Sequence, residues 1–372
     1  TRVGGLKSQD PIHKGSSKST YYFQHNHSKK SIAIDFKSAK GLALLKEMVK
    51  QFDVLVENFT PGVMARAGLS YEELTKINSG LIMCSISLAG QDGALSQRPG
   101  YDYIAQAYAG VTDLIGQADG EPSLITMAIG DAATGVSAAM GIAFALLHRE
   151  KTGEGQYIEA TLLDTFFQMH EVNIPRISLR KGYQPKRTGS QHPDGGPTGV
   201  FRCSDGSYIS MATLPHQWKS FCEAIGRLNL IEDPRFKTAS LRRDNNLLLK
   251  EIIENWLAEF DSRVAAIEAL DKFRIPCAPV LTLNEAMEHP HLRERGTVRR
   301  VKDEVLGEFD IPGFPLKFSR WEINTDLSAD VLGGHNIEVL KKYLNLSDAE
   351  IDHLYQENIL FKEGKENAKK ES

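Results

Sequence analysis

Apolar and polar positions change period several times along the first half of the chain. Ser31–Phe36 (SIAIDF) alternates every second residue and predicts a short strand. Leu42, Leu45, Met48 and Val49 then recur at helical spacing and predict a helix over Ser38–Phe52. Asp53–Glu57 is a compact apolar run of the kind found in buried strands, and Pro61-Gly62 marks a turn beyond it. Ser70 and Glu73 form a capping box that opens a short helix. Leu81–Ser87 predicts a second buried strand. Helices are predicted over Gly100–Gly116 and Gly130–Arg149, a strand over Gly155–Leu163, and a helix over Asp164–Leu179. Such alternation of strand and helix predicts an α/β fold with helices on the faces of a parallel sheet.

The texture changes at Tyr183. Residues 183–200 are rich in Gly, Pro and polar side chains and read as a linker. A hairpin follows over Phe201–Ala212 with Asp205-Gly206 at its turn. Helices are expected from about Pro215 to Gly226, Leu241 to Phe260 and Val264 to Phe273, then a strand over Pro276–Leu281. The expected organisation is a large domain over 1–182, a small α+β domain over 201–300, and a return to the large domain over 301–372. That last stretch carries helices near Ala329–Tyr343 and Ser347–Glu357, and its charged end, Glu363–Ser372, is expected to lack order. Ala132–Leu147 is apolar but shorter than the ~20 residues of a membrane span. Asp131 and His148-Arg149-Glu150 flank it closely, so it reads as a buried core helix and no membrane is expected.

Composition narrows the function. The 372 residues carry a net charge of −4 with both signs interspersed, 41% hydrophobic and 25% charged, which excludes disordered and fibrous classes. No basic stripe marks a nucleic-acid partner, and an anionic ligand would need a local pocket. Cys84, Cys203, Cys222 and Cys277 stand at long, irregular spacings, which predicts reduced thiols and a cytoplasmic setting, with an organellar matrix as the alternative. The polar, basic opening Thr1–Lys18 has no leader pattern. His25-Asn26-His27 would put two imidazoles on one face if extended, but neither it nor His289-Pro290-His291 has further ligands at diagnostic spacing, so no metal is expected.

Asp164 stands out as candidate chemistry. It lies where an apolar strand passes into a helix, and the carboxyl ends of such strands line ligand crevices in open α/β sheets. A carboxylate there can cap the helix or attack a carbonyl, and capping is the commoner use. Tyr101-Asp102 opens another helix and could supply an acid or a hydrogen-bond donor. Lys37 and Arg66 follow the first two strand units and could meet phosphates, or be merely solvated. Gly195-Gly196 could form a mobile lid or only a turn. From the residues alone the chain is an α/β protein with a candidate carboxylate nucleophile.

Four blocks, in order, extend that reading. They are Tyr21–Lys37 (YFQHNHSKKSIAIDFK from Tyr22), Asp53–Gly62 (DVLVENFTPG) with Arg66-Ala67-Gly68, Gly100–Gln106 (GYDYIAQ), and Lys151–Asp164 (KTGEGQYIEATLLD). Gly189–Pro193, Ile275–Pro279 and Leu332–His335 add weaker matches. Together, over about residues 19–357, the chain resembles the class III coenzyme A transferases, the group that includes formyl-CoA, carnitine and bile-acid CoA transferases. The resemblance implies a doubly wound, Rossmann-like large domain, a smaller α+β domain and a homodimer of interlocked chains. It implies CoA transfer from an acyl-CoA to a small carboxylic acid through aspartyl anhydride and aspartyl-CoA thioester intermediates on Asp164. It places Ile34, Lys37, Asn58, Phe59 and Arg66 at the CoA site, and Tyr101, Asp102, Gly195 and Gly196 beside the acyl group. The longer glycine run of formyl-CoA transferase is absent here. The strand and helix that precede Thr1-Arg2 in the family are also absent from the sequence, which implies a CoA pocket without those elements.

Two rivals share these features. An α-methylacyl-CoA racemase of the same fold would need a His where Tyr101 stands, with a carboxylate near Glu159, and a phenol of pKa ~10 is a poor proton shuttle at neutral pH. A non-catalytic CoA-binding protein would not need Asp164.

Overall fold

The computed structural model describes residues 6–7, 16–320, 322 and 327–364. The tail 365–372 and the Thr1-Arg2 opening lie outside the described residues. The chain divides into two compact units, one of residues 1–97, 135–160 and 284–372, the other of residues 98–134 and 161–283.

In the first unit β1 (Val54–Glu57) pairs in parallel with β2 (Ile82–Ser87), Val54 opposite Ile82 and Glu57 opposite Ser85. β3 (Tyr157–Thr161) lies on the other side of β2. The expected α/β character and parallel pairing are therefore present. The middle strand β2 is buried at every position but Ile86. β1 departs from the buried strand that its apolar run predicts. It is the edge of this sheet among the described residues, and Val56 stays exposed because an edge strand is covered from one side only.

Ser31–Phe36 also departs from expectation. It is extended, but its ladder shrinks to one bridge between Ile34 and Leu360. Main-chain bonds flank that bridge, Asp35 N to the Ile359 carbonyl and Phe361 N to the Ala33 carbonyl, and side chains serve the other amides: Asn336 Oδ1 accepts from Ala33 N at 2.8 Å and His335 Nδ1 accepts from Ser31 N at 3.0 Å. Asn336 also donates Nδ2 to Tyr355 Oη and to the Phe361 carbonyl, so one fully buried amide joins three segments. The alternation of SIAIDF survives as packing, since Ile32 and Ile34 lie against Met48, Leu340, Ile351 and Leu360.

The helix Ala39–Val49 forms as predicted. Ser38 caps it by accepting from Gly41 N, and Gly41 is tight, because a Cβ there would come 2.1 Å from the Asp35 carbonyl. Val49 packs with Leu69, Leu74, Leu81 and Met83 under the sheet. The helix Ile129–Thr152 is not the buried core helix that its composition suggests. Val136, Met140, Phe144 and Leu147 form an exposed stripe at helical spacing, while Ala138 and Ala145 face inward. By length and composition this helix could cross a membrane, and it is the one such helix among the described residues.

In the second unit the predicted helix Gly100–Gly116 is two, Asp102–Tyr108 and Val111–Leu114, separated at Gly110 with φ 75°. Asp164–Leu179 likewise divides into Leu162–Gln168 and Asn173–Leu179, with Glu171 at φ 49° between them. β4 (Thr198–Arg202) and β5 (Tyr208–Ala212) form the expected antiparallel hairpin, and β6 (Cys277–Pro279) joins β5 antiparallel. Phe201, Ile209, Phe221, Phe236, Leu249 and Leu257 fill the core beneath. Cys203 and Cys222 belong to this core, Cys84 is buried in β2, and Cys277 is half-buried.

The first unit is completed by β7 (Val298–Asp303) and β8 (Gly307–Pro312), an antiparallel hairpin. Its Val301 and Ile311 enclose Phe23 from the helix Thr20–Asn26, and Lys18 reaches Asp303 at 2.8 Å in a buried ion pair. His25 falls inside that helix, so the His25–His27 pair is not extended as a shared metal face requires. The C-terminal helices are Asn336–Leu344 and Asp348–Gln356, the second with a Ser347–Glu350 capping box.

Candidate active site

β3 ends at Thr161, whose extended backbone (φ −124°, ψ 146°) and hydroxyl start the next helix. Thr161 Oγ1 accepts from Asp164 N at 2.9 Å, so Thr161 is the cap and Asp164 is the third helical residue. The capping role that the sequence allows Asp164 therefore goes to its neighbour. Leu162, Thr165 and Phe166 face the interior, and Asp164 points to the opposite, exposed face with Phe167. No donor binds its carboxylate among the described residues.

The helix Asp102–Tyr108 packs against the Asp164 helix. Asp102 is 4% exposed, and both its oxygens are occupied. Oδ1 accepts from Gln106 Nε2 at 2.6 Å, while Oδ2 accepts from Gly130 N at 2.7 Å and Asp131 N at 3.1 Å. It thus binds amides in the first turn of the helix Ile129–Thr152, where a negative charge is favoured. Burial, and then the Asp102 charge, push the Asp131 carboxyl above its ordinary range. Gln106 extends the anchor through Nε2 to the Ile125 carbonyl and Oε1 from Ile125 N. Gly130 must lack a side chain, since a Cβ there would lie 2.1 Å from the Phe166 ring. Tyr101 is 82% exposed beside this anchor.

Gly195 takes φ 106° and Gly196 precedes a cis peptide to Pro197. Their loop is held by two arginines that the sequence reading missed. Arg176 grips Asp194 with two bonds, NH1 to Oδ1 at 2.6 Å and NH2 to Oδ2 at 2.9 Å, and this pairing keeps the Asp194 carboxyl below its ordinary range. Buried Arg242 donates Nε to the Gly196 carbonyl at 2.7 Å and lies over the Trp218 ring. A cavity of about 410 Å³ lies beside this loop, bounded by Ile115, Ile129, Phe166, Met169, Arg176 and His192. Its walls use the face of the Asp164 helix opposite Asp164, so this recess is not around the candidate nucleophile.

The residues expected to bind CoA lie in the first unit. Phe36 and Phe59 approach to 5.8 Å between ring centroids, which brings exposed Lys37 near Asn58-Phe59. Arg66 ends the short helix Val63–Arg66 and folds over Gly62, whose φ of 84° the Pro61-Gly62 turn requires. Ile34 forms a backbone bridge with Leu360. Glu57 is a further residue that sequence reading passed over as the polar end of an apolar run. It is 8% exposed, and Oε2 accepts from Phe59 N at 2.8 Å. Among the described residues no group of three His, Cys, Asp or Glu is placed to hold a metal.

Comparison with known proteins gives one pattern. The profile of CoA-transferase family III matches residues 4–336. The human succinyl-CoA:glutarate CoA-transferase is 30% identical over 346 residues, covering 92% of this chain and 78% of that protein. The succinyl-CoA–D-citramalate CoA-transferase of Chloroflexus aurantiacus is 30% identical over 333 residues, covering 89% and 82%. The formyl-CoA:oxalate CoA-transferase of Escherichia coli O157:H7 is 32% identical over 366 residues, covering 91% and 86%. A CAIB/BAIF family protein from Brucella suis is similar in structure, with a TM-score of 0.74 at 30% identity, covering 88% of this chain and 84% of that one.

Proposed function

The chain belongs to CoA-transferase family III and is an acyl-CoA:carboxylate CoA-transferase; we propose that Asp164 is its nucleophile and that its acids are short dicarboxylates. The observation that carries the first part is the placement of Asp164 at the end of β3, with Thr161 taking over the cap and leaving the carboxylate unpaired and outward.

In this mechanism an Asp164 oxygen attacks the thioester carbonyl, the C–S bond breaks and CoA leaves as thiolate. The thiolate then attacks the Asp164 carbonyl carbon of the mixed anhydride, releasing the donor acid and forming an aspartyl-CoA thioester. The acceptor carboxylate attacks that thioester and frees the thiolate again. Attack of the thiolate on the acceptor's acyl carbon gives the new acyl-CoA and restores Asp164. Each step exchanges one acyl bond for another, so water must be kept from the anhydrides. Lys37 and Arg66 supply cations for CoA phosphates, and Phe59 an apolar surface. A racemase would need an imidazole where exposed Tyr101 stands.

The acids in the relatives' names (glutarate, D-citramalate and oxalate) all carry two carboxylates, which motivates the substrate class. With succinyl-CoA as donor, we expect a new acyl-CoA from at least one of these acids, read by liquid chromatography and mass spectrometry. Transfer to benzoate or carnitine with none to any dicarboxylate would overturn the class. We also propose that a second copy covers Val136, Met140, Phe144 and Leu147, since so continuous an apolar stripe is costly in water. Light scattering should give twice the 41.3 kDa chain mass, and a monomer at micromolar concentration would refute it.

A further inference from the structure

The recess of about 410 Å³ beside the Gly195-Gly196 loop lies wholly within the second unit. Val111, Leu114, Ile115, Ile125, Ile129 and Met169 make most of its wall apolar. Arg176 is the one Lys or Arg among the described residues that line it. A recess of this size, apolar with one charged group, suits a small ligand that has an apolar body and one anionic end. The two imidazoles in the wall are already engaged. His170 Nε2 meets the Ala109 carbonyl at 2.6 Å, and His192 Nδ1 accepts from Asp194 N at 3.2 Å. Glu171 also lines the recess but is exposed, so solvent screens its charge.

A carboxylate of the chain itself takes the anionic place. Arg176 meets Asp194 as a guanidinium meets any free carboxylate, through two parallel N–H donors. The pair is open to water, its side chains 28% and 40% exposed. A pair so exposed contributes little stability, so exchanging one carboxylate for another costs little. Asp194 has a second cation to turn to, since Arg243 also acts on it at longer range. The apolar walls favour the incoming acid: an alkyl chain would cover them, whereas Asp194 has only one methylene to offer. The single cation also sets the class. A second carboxylate would face apolar wall, so the ligand is a monocarboxylic acid, unlike the dicarboxylates proposed as substrates.

We propose that this recess binds a short aliphatic monocarboxylic acid, whose carboxylate takes Arg176 from Asp194 and whose chain covers the apolar walls. Asp194 occupies the acid site when the acid is absent. Its release frees one end of the Gly195-Gly196 loop, while buried Arg242 still holds the other end at the Gly196 carbonyl. The loop thus responds to free acid. The site lies on the face of its helix opposite Asp164 and does not depend on which residue is acylated.

Calorimetric titration of the full chain with hexanoate, 1-hexanol and glutarate tests it. Hexanoate should bind the parent at least about 10-fold more tightly than hexanol, the difference made by one bidentate, charge-assisted contact. Glutarate should bind more weakly than hexanoate. Arg176→Met should reduce hexanoate to the affinity of hexanol. Asp194→Asn should act in the opposite direction and tighten hexanoate about fivefold, because it removes the competing charge. Both side chains are partly exposed, so circular dichroism of the variants should match the parent. If Arg176→Met nevertheless fails to fold, the sign of the Asp194→Asn shift decides alone. Hydrogen exchange of the amides of residues 194–196 should quicken when hexanoate binds, and be fast from the start in Asp194→Asn. Weaker hexanoate binding by Asp194→Asn would make Asp194 part of the site rather than its stand-in, and would overturn the proposal. So would an unchanged affinity in Arg176→Met, or hexanoate binding to neither the parent nor Asp194→Asn. Glutarate binding more tightly than hexanoate would make the recess a substrate site and refute the monocarboxylate class. Exchange at 194–196 that bound hexanoate leaves unchanged would refute the release of the loop.

Discussion

Asp164→Ala should abolish acyl exchange, lowering turnover by at least about 10³-fold, because every proposed covalent step passes through this carboxylate. CoA affinity should stay within about twofold, since the residues assigned to CoA are all in the other unit and none depends on Asp164. Stability should hardly change. The cap bond runs from the backbone N–H of residue 164 to Thr161 Oγ1, and alanine keeps that N–H. The exposed side chain leaves no cavity, so the shift in unfolding free energy should be within about 0.5 kcal/mol. Asp164→Asn should be equally inactive, an amide being no nucleophile. A direct test is to incubate the parent with acyl-CoA, add hydroxylamine and map the hydroxamate by mass spectrometry. A label on another residue, or full exchange by the alanine variant, would remove Asp164 from the mechanism.

Lys18→Met should destabilise the protein by about 3–5 kcal/mol, the usual cost of leaving one member of a buried ion pair alone. The side chains of Lys18 and Asp303 are 11% and 3% exposed, and their 2.8 Å contact spans most of the chain length. With the ammonium gone, the Asp303 carboxylate keeps, among the described residues, the amides of Val305 and Leu306, at 2.8 and 3.0 Å. Asp303→Asn retains an oxygen for those amides. The double variant Lys18→Met/Asp303→Asn should therefore be more stable than Lys18→Met, and urea unfolding of the four proteins gives the coupling. If Lys18→Met unfolds at the parent's urea midpoint, the pair contributes no stability.

The local elements were readable where propensity and partner agree. Helical spacing at Leu42, Leu45 and Met48 predicts the helix Ala39–Val49, and the apolar run at Leu81 predicts β2. Errors arise where periodicity is correct but the partner is not encoded nearby. SIAIDF alternates as a strand does, yet its backbone is satisfied by the side chains of Asn336 and His335 and the main chain of Ile359 and Phe361, all some 300 residues on. The helix Ile129–Thr152 is apolar enough for a core, but hydrophobicity does not say what covers it. The breaks at Gly110 and Glu171 differ in kind. A glycine can be suspected of φ above zero, whereas a glutamate at φ 49° gives no sequence signal. At the candidate site, the position of Asp164 just after β3 was legible, and the Thr161 cap could have been found from the Thr three residues earlier. Asp102 was legible as a feature, but its three amide partners were not. Glu57, Arg176 and Arg242 were missed because a lone charge in sequence does not show whether it is buried.

The cysteines bear on how an acylated residue can be identified. Acyl-CoA thioesters pass their acyl group readily to thiolates, and a protein thiolate near the substrate would collect label without taking part in catalysis. Here burial raises every thiol above its ordinary pKa: Cys222 to about 12, Cys277 to about 11, and Cys84 and Cys203 in the same direction. Burial therefore favours the thiol over the thiolate at all four, and Cys84, Cys203 and Cys222 are also shielded from solvent. Burial thus disfavours adventitious S-acylation, and a hydroxylamine-sensitive adduct recovered from this protein should report a carboxylate-derived anhydride or aspartyl-CoA thioester rather than a stray cysteine.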